Sequence, residues 1–120
     1  MDHGLKRHRP RSSIPMRLLS NMRRSDFVEL NELPNVGPAT ASYLRLAGIS
    51  LPSHLIGADP YAVFEKMCRT TGRRFDACLL DQFIAVVRFM DGESARPWWE
   101  FTAERKAELK TRSADRRNEQ

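Results

Sequence analysis

The sequence predicts a compact all-α domain of five to seven short helices joined by tight turns. Apolar residues recur at helical spacing between about residues 27 and 90. No run of alternating apolar and polar residues qualifies as a strand. The chain has 120 residues, of which 41% are hydrophobic. A chain of this size can bury one core without help from disulfides or metals.

The helical domain is expected to begin after a basic arm. Residues 1–14 contain few apolar side chains, which predicts disorder, and a short helix can open at Pro15; residues 1–24 together are expected to form a basic, mainly disordered arm. Ser25 is the expected N-cap of a first helix. In that helix, apolar residues recur every three positions until Pro34 stops it: Phe27, Leu30 and Leu33.

Two later helices are predicted by a proline at the first helical position. Gly37-Pro38 begins one, and Gly48 ends it. Asp59-Pro60 begins the other, with Asp59 as the side-chain cap, and Gly72 ends it. A short helical turn is expected between them, around residues 53–56.

The longest helix is predicted from Asp76, its cap, to Gly92. Its apolar side chains cover more than half of its circumference, which predicts the central element of the core: Leu79, Leu80, Phe83, Ile84, Val86, Val87 and Met90. The aromatic segment 97–101 is expected to fold back on this core. A charged helix is expected from about residue 102 to residue 112, followed by a frayed tail. The chain is thus expected to have three regions: a basic arm (1–24), a helical domain (25–101) and a charged helix with its tail (102–120).

The net charge of +5 comes from the two ends of the chain. Residues 1–25 carry seven basic side chains against one acidic, or +6, and residues 101–120 carry six against four, or +2. Residues 26–100 carry seven against ten, or −3. A basic arm of this kind supplies attraction to phosphate without sequence preference. The alternative is a solvated tail that keeps the protein soluble.

Several classes of protein are excluded by composition. The longest apolar run is the five residues 83–87, against the ~20 that a membrane-spanning helix needs, and no secretory signal is expected because the N-terminal residues lack an apolar stretch. Two cysteines without a CxxC pair and three scattered histidines predict no zinc site. Cys68 and Cys78 are expected to be small buried residues in a reducing compartment. We therefore expect a cytoplasmic protein with no membrane association, metal or cofactor.

The functional signal lies in the segment Leu33-Pro34-Asn35-Val36-Gly37-Pro38-Ala39-Thr40-Ala41. One helix ends at Leu33 and the next begins at Pro38, so the short connection forces the two into a hairpin. The first N–H groups of the second helix lack intrahelical partners, and the helix dipole adds positive potential there. Neither Gly37 nor Ala39 has a bulky side chain to screen these groups. The segment therefore predicts an anion site suited to phosphate.

This segment resembles the helix-hairpin-helix motif of DNA-repair and replication proteins, whose hairpin reads Leu-Pro-Gly-Val-Gly-Pro followed by a small residue. The resemblance is close over residues 30–47 and looser to Phe64, where a second half-motif follows. It implies a tandem helix-hairpin-helix (SAM-like) fold. Over residues 30–101 the chain is also similar to a small bacterial family of pathogenicity-locus or mitomycin-resistance proteins, through the hairpin, Gly48-Ile49, Asp59-Pro60, Asp76-Ala77-Cys78 and Pro97-Trp98-Trp99.

The helix-hairpin-helix resemblance implies binding of the DNA backbone without base readout, in DNA repair, recombination or competence. Carried over by position, the contacts would come from backbone N–H groups, from one hydroxyl and from one basic side chain: Asn35, Gly37, Ala39, Thr40 and Arg45. Some members of the family also hold a monovalent cation on hairpin carbonyls, which here would be those of Asn31, Leu33 and Val36.

The chain departs from the motif at Asn35, which replaces the first hairpin glycine. Asparagine tolerates positive φ, so the turn can form. Its side chain could donate to a phosphate or obstruct it. The alternative function is a protein-interaction module in which the hairpin is structural and packs against a partner or a second copy.

No enzyme is predicted. Helix-hairpin-helix glycosylases use a lysine just after the hairpin, and residues 38–42 contain none. No grouping of serine, histidine and aspartate is present. The carboxylates of Asp76 and Asp81 lie five residues apart, but Asp76 is better explained as a helix cap than as a catalytic group. The adjacent Trp98 and Trp99 could stack on bases, although core packing of at least one indole is the stronger expectation.

Overall fold

The helix boundaries of the computed structural model follow the capping residues of the sequence. The structure describes residues 24–118, with side chains to residue 115. It contains four α-helices: α1 (Pro38–Leu46), α2 (Pro60–Thr71), α3 (Ala77–Met90) and α4 (Thr102–Asn118). Four single 3-10 turns connect or precede them: Arg24–Asp26, Leu30–Glu32, Pro52–Leu55 and Trp98–Phe101. No strand occurs among residues 24–118, so the all-α class is confirmed, whereas the count of five to seven helices is not.

The predicted first helix is the main difference. The segment contains two 3-10 turns, Arg24–Asp26 and Leu30–Glu32, and Ser25 lies inside the first of them instead of capping an α-helix. Phe27, Leu30 and Leu33 are nevertheless buried as expected. A spacing of three residues matches the 3.0 residues per turn of a 3-10 helix, so it does not distinguish the two structures.

The other helix starts are confirmed. Pro38 is the first residue of α1, and Gly37 is its N-cap. The Asp59 carboxylate accepts from the Tyr61 amide at 3.0 Å at the start of α2. The Asp76 carboxylate caps α3 in the same way. These starts are set by local chemistry alone.

Helix α3 is the centre of the core, as its apolar circumference predicted. It packs against α2, α4, the 52–55 turn and the 98–101 turn. Ten of its fourteen residues are buried. Phe101 is buried and Trp98 half-buried, so the aromatic segment folds back on the core as expected.

Helix α4 is longer than predicted and is joined to α3 through a buried carboxylate. Asp81 is 0% exposed, and it accepts from Arg105 Nε at 2.8 Å and from Thr102 Oγ1 at 2.8 Å. The helix runs to Asn118 instead of fraying after Arg112. Its sequence contains neither glycine nor proline, so nothing local stops it.

The basic arm lies outside the described residues except for Arg24. That guanidinium donates to the carbonyls of Phe89 and Glu93 and lies over the Phe89 ring at 3.9 Å. Arg24 is thus part of the folded body. None of the helices between residues 24 and 118 is both long and apolar enough to cross a membrane.

Candidate nucleic-acid interface

The hairpin turn is built around a left-handed Asn35. The Val36 N–H donates to the Leu33 carbonyl at 3.2 Å, and Asn35 has φ of 69°. Asn35 is the one non-glycine residue with positive φ among residues 24–118. The expectation that asparagine can replace the first hairpin glycine is therefore confirmed.

The Asn35 side chain holds the hairpin to the aromatic segment. Its Nδ2 donates to the Arg96 carbonyl at 2.8 Å, and its Oδ1 accepts from the Trp98 amide at 3.0 Å. Both polar ends of the side chain are thus bonded within the fold. In this structure the side chain does not reach out to donate to a bound phosphate, and its role is to position the turn.

The backbone amides at the start of α1 are unpaired. The first intrahelical bond runs from the Ala41 N–H to the Gly37 carbonyl, at 2.9 Å. The N–H groups predicted to bind phosphate find no acceptor among residues 24–118: those of Asn35, Gly37, Ala39 and Thr40. Gly37 and Ala39 are exposed. The start of α1 therefore offers unpaired donors together with the positive end of a helix dipole.

Gly37 leaves this helix start uncovered without being required by the backbone. Its φ is −91°, and a Cβ added there would meet no atom within 4 Å. A larger residue would fit without strain but would stand beside the amides. Access for an anion thus depends on the absence of a side chain.

The Thr40 hydroxyl is used inside the fold. Thr40 is 7% exposed, and its Oγ1 donates to Oε1 of Gln82 on α3 at 2.6 Å. The hydroxyl is thus not free for a ligand, and the Thr40 amide, although unpaired, belongs to a buried residue. Of the predicted contacts, the backbone groups and Arg45 remain.

The segment predicted to be a second half-motif differs from the hairpin segment at its helix start. At α2, the Asp59 carboxylate occupies the place that Gly37 leaves open at α1. It also pairs with Arg112 of α4, at 3.4 Å. A carboxylate already bonded to the first amides repels a second anion, so only the α1 end suits phosphate.

Sequence reasoning identified Arg45 but missed the basic side chains that accompany it on α2. Four cations are exposed on α1, on α2 and just after α2, and none forms an ion pair within residues 24–115: Arg45, Lys66, Arg69 and Arg73. We call this set the basic face. Its signal was present in the sequence, because residues 38–75 carry five basic against two acidic side chains, or +3. The net charge of −3 over the longer range 26–100 conceals this local excess of basic residues.

Two contacts bring the basic face next to α1. Lys66 Nζ lies 3.1 Å from the position that a Cβ on Gly48 would take, just beyond the end of α1. The Arg73 guanidinium lies over the Phe75 ring at 4.7 Å, and that ring meets Tyr43 of α1 at 5.0 Å. Helices α1 and α2 therefore run in opposite directions, and Arg73 lies closer to the hairpin than Lys66 does.

No metal-binding cluster accompanies this region in the described residues. No group of three or more His, Cys, Asp or Glu side chains within residues 24–118 is placed to hold a metal ion. The Leu33 carbonyl, one of the candidate cation ligands, already accepts from Val36. Cys68 is buried, and Cys78 is half-buried with its thiol pKa raised, chiefly by burial and further by Asp76 and Asp81.

A family model and a curated relative both match this chain over most of its length. The model of the Pathogenicity locus family matches residues 23–107, which include the hairpin, the basic face and Arg105. The chain belongs to this family. A relative from Streptomyces lavendulae, the Mitomycin resistance protein McrB, is 40% identical over 95 residues, which are 79% of this chain and 90% of the relative. The resemblance to the pathogenicity-locus or mitomycin-resistance family is thus confirmed, while no solved structure matches the chain.

Proposed function

We propose that this member of the Pathogenicity locus family is a DNA-binding module that contacts the phosphate backbone without reading base sequence. The observation that carries the proposal is the pairing of an open helix start at one end of α1 with a basic face that extends from the other end of α1 onto α2. Roles in DNA repair, recombination or competence, a cytoplasmic location and the absence of catalysis belong to the same proposal. The relative's association with mitomycin resistance is the reason to look for such a role in cells.

The helix start supplies the position of the first phosphate. Its amides point toward one end of α1, where an anion is favoured both by hydrogen bonds and by the dipole. Backbone donors contact phosphate oxygens in the same way whatever the base is, so they orient DNA without specifying sequence.

The basic face extends the contact along the backbone. Arg45 lies eight residues after Gly37, or about 12 Å along the helix at ~1.5 Å per residue. That distance reaches past the first phosphate to a further one on the same strand. Lys66, Arg69 and Arg73 widen the positive surface on the neighbouring helix, so several phosphates can be neutralised at once.

A second candidate function is a protein-interaction module. It is favoured by large apolar side chains that lie exposed outside the basic face: Val28, Leu46, Leu51, Ile56, Trp99 and Leu109. Exposed apolar groups of this kind occur at protein interfaces, although single ones are common on any surface. In this alternative the hairpin is structural and DNA is not bound.

A salt titration separates the two functions. The affinity of the full chain for a fluorescently labelled duplex is measured by anisotropy at several salt concentrations, with two unrelated base sequences. Backbone binding predicts a steep, linear fall of log affinity with log salt and equal affinities for the two sequences. Affinity that is absent at low salt, or that does not change with salt, would refute the proposal.

Variants then locate the contact. Alanine at Lys66, Arg69 or Arg73 should each lower the salt slope by about one for every phosphate contact removed. Lys106→Ala and Lys110→Ala are the matched controls, since both lysines are exposed on α4, which packs mainly against α3 and the 98–101 turn. Deletion of residues 1–23 measures the arm separately. If only that deletion weakens binding, the hairpin is structural and the arm alone binds DNA.

A further inference from the structure

Trp99 is a large aromatic side chain that the fold leaves in water. It is 62% exposed, although it follows directly on Trp98, which packs against the core. The expectation that at least one of the two indoles packs on the core is thus confirmed for Trp98. An indole left in solvent at a fixed position is a common feature of binding surfaces.

The backbone that carries Trp99 is held on both sides. The Trp98 amide donates to Asn35 Oδ1 at 3.0 Å, and Phe101 is buried in the core. The Trp98 and Trp99 rings meet edge to face, with centroids 5.6 Å apart and planes at 84°. Such a contact covers at most one face of the Trp99 ring. Because the backbone on either side of Trp99 is already fixed, binding through this indole costs little further backbone entropy.

The same Asn35 bond places Trp99 close to the hairpin. From the bond lengths of the intervening atoms, the Cα atoms of Asn35 and Trp99 are at most about 12 Å apart. This is a span of three to four stacked nucleotides at about 3.4 Å each. A strand whose phosphate lies on the α1 amides therefore has neighbouring bases within reach of the indole.

The charges around Trp99 do not oppose a nucleic acid strongly. Glu100 and Glu93 lie nearby, and the Arg96 guanidinium is 3.9 Å from the first carboxylate and 3.7 Å from the second. Arg96 also covers the buried Phe101 ring at 4.3 Å. The carboxylates next to the indole are thus partly neutralised by a cation at the same surface.

We propose that Trp99 stacks on an unpaired base of the strand that the hairpin holds, so that the protein prefers DNA with an unpaired base to an intact duplex. The inference rests on the proposed function. In an intact duplex each base is already stacked on its neighbours, whereas an unpaired base can turn out and offer its face. Stacking on an aromatic side chain is tolerant of base identity and changes affinity by about 5- to 150-fold.

The test compares two labelled duplexes of one sequence, one intact and one with a single bulged nucleotide, bound to the full chain. The wild-type protein is expected to bind the bulged duplex at least about fivefold more tightly. In Trp99→Ala the ratio of the two affinities should fall to one, and Trp99→Phe should keep part of it. Because the side chain is exposed, neither substitution should lower the melting temperature, which is measured on the same samples.

Fluorescence gives an independent readout, since the chain has two tryptophans. In Trp98→Phe the sole indole is Trp99, and its emission should be quenched by the bulged duplex but little by the intact one. Trp99→Phe, in which only Trp98 emits, is the matched control and should show no such difference.

Three results would overturn the inference: equal wild-type affinity for the two duplexes, an equal loss of both affinities in Trp99→Ala, or quenching that does not distinguish the duplexes. A change of sedimentation coefficient in Trp99→Ala with an unchanged affinity ratio would also overturn it and assign the indole to a contact between two copies. Failure of the proposed function is different, because neither duplex would then show salt-dependent binding.

Discussion

Replacement of Ala39 by glutamate is expected to move fold stability and DNA affinity in opposite directions. Ala39 is the second residue of α1 and is exposed, with unpaired N–H groups around it. A carboxylate in the first turn interacts favourably with the helix dipole, by about 0.3–1 kcal/mol. The melting temperature should therefore stay constant or rise by up to about 4 °C.

The effect on binding follows from the distance between two negative charges. A phosphate accepting from the Ala39 or Thr40 amide would lie about 5 Å from the new carboxylate. At that distance the repulsion is about 0.8 kcal/mol at a dielectric constant of 80 and about 3 kcal/mol at 20. We expect a duplex affinity about 4- to 150-fold weaker at low salt.

The assay combines thermal unfolding by circular dichroism with the anisotropy titration. Ala39→Gln is the control, because it has the same length without the charge, and it should bind the duplex within about threefold of the wild type. Equal affinities of the glutamate and glutamine variants, with both folded, would show that the α1 amides do not contact DNA. A loss of stability of the glutamate variant relative to the glutamine variant would refute the account of the helix start itself.

Three further predictions concern the packing that supports the site. Arg105→Met leaves the buried Asp81 carboxylate without its cation and should cost about 3–5 kcal/mol in urea unfolding, with Asp81→Leu in the same chain restoring most of it; a loss below 1 kcal/mol would contradict a buried pair. The Tyr61 hydroxyl is buried without a hydrogen-bond partner among the described residues, so Tyr61→Phe should be neutral or stabilising by up to about 2 kcal/mol. The pKa of Tyr61 is raised to about 12, chiefly by burial, from an ordinary 10.0. Because the fold favours the neutral phenol over the phenolate, the contribution of Tyr61 to the free energy of unfolding is present below pH 10 and is lost between pH 10 and 12. Over that range the urea midpoint of the wild type should fall, and the midpoint of Tyr61→Phe should fall by less. Asn35→Ala removes two hydrogen bonds and places alanine in the left-handed region, at a cost of about 2–4 kcal/mol, whereas Asn35→Gly should cost less because glycine accepts that φ; equal urea midpoints of the two variants would rule out a backbone contribution.

Much of the fold could be predicted because its helix starts depend on neighbouring residues. Gly37-Pro38, Asp59-Pro60 and Asp76 each act within two or three positions, so the sequence alone locates the helices that follow. Residues 25–33 could not be assigned in this way, because an apolar spacing of three fits both α-helical and 3-10 geometry.

The site was predictable in position but not in detail. The open amides follow from a glycine before a proline, which is local. The role of the Asn35 side chain depends on Arg96 and Trp98, about sixty residues further on, and the basic face depends on how α2 packs against α1. Contacts between residues so far apart arise only in the folded chain, so a pattern of neighbours does not reveal them.

The bond between Asp81 and Arg105 also has a consequence for how the protein is made. A nascent polypeptide that has grown only as far as Phe101 has the apolar residues of the core but no counterion for the carboxylate at its centre. The missing interaction, about 3–5 kcal/mol, is a large part of the ~5–15 kcal/mol that usually holds a domain together. Synthesis must therefore continue past Arg105 before the core becomes fully stable, and a fragment trimmed for spectroscopy or crystallisation should retain the first turns of the last helix.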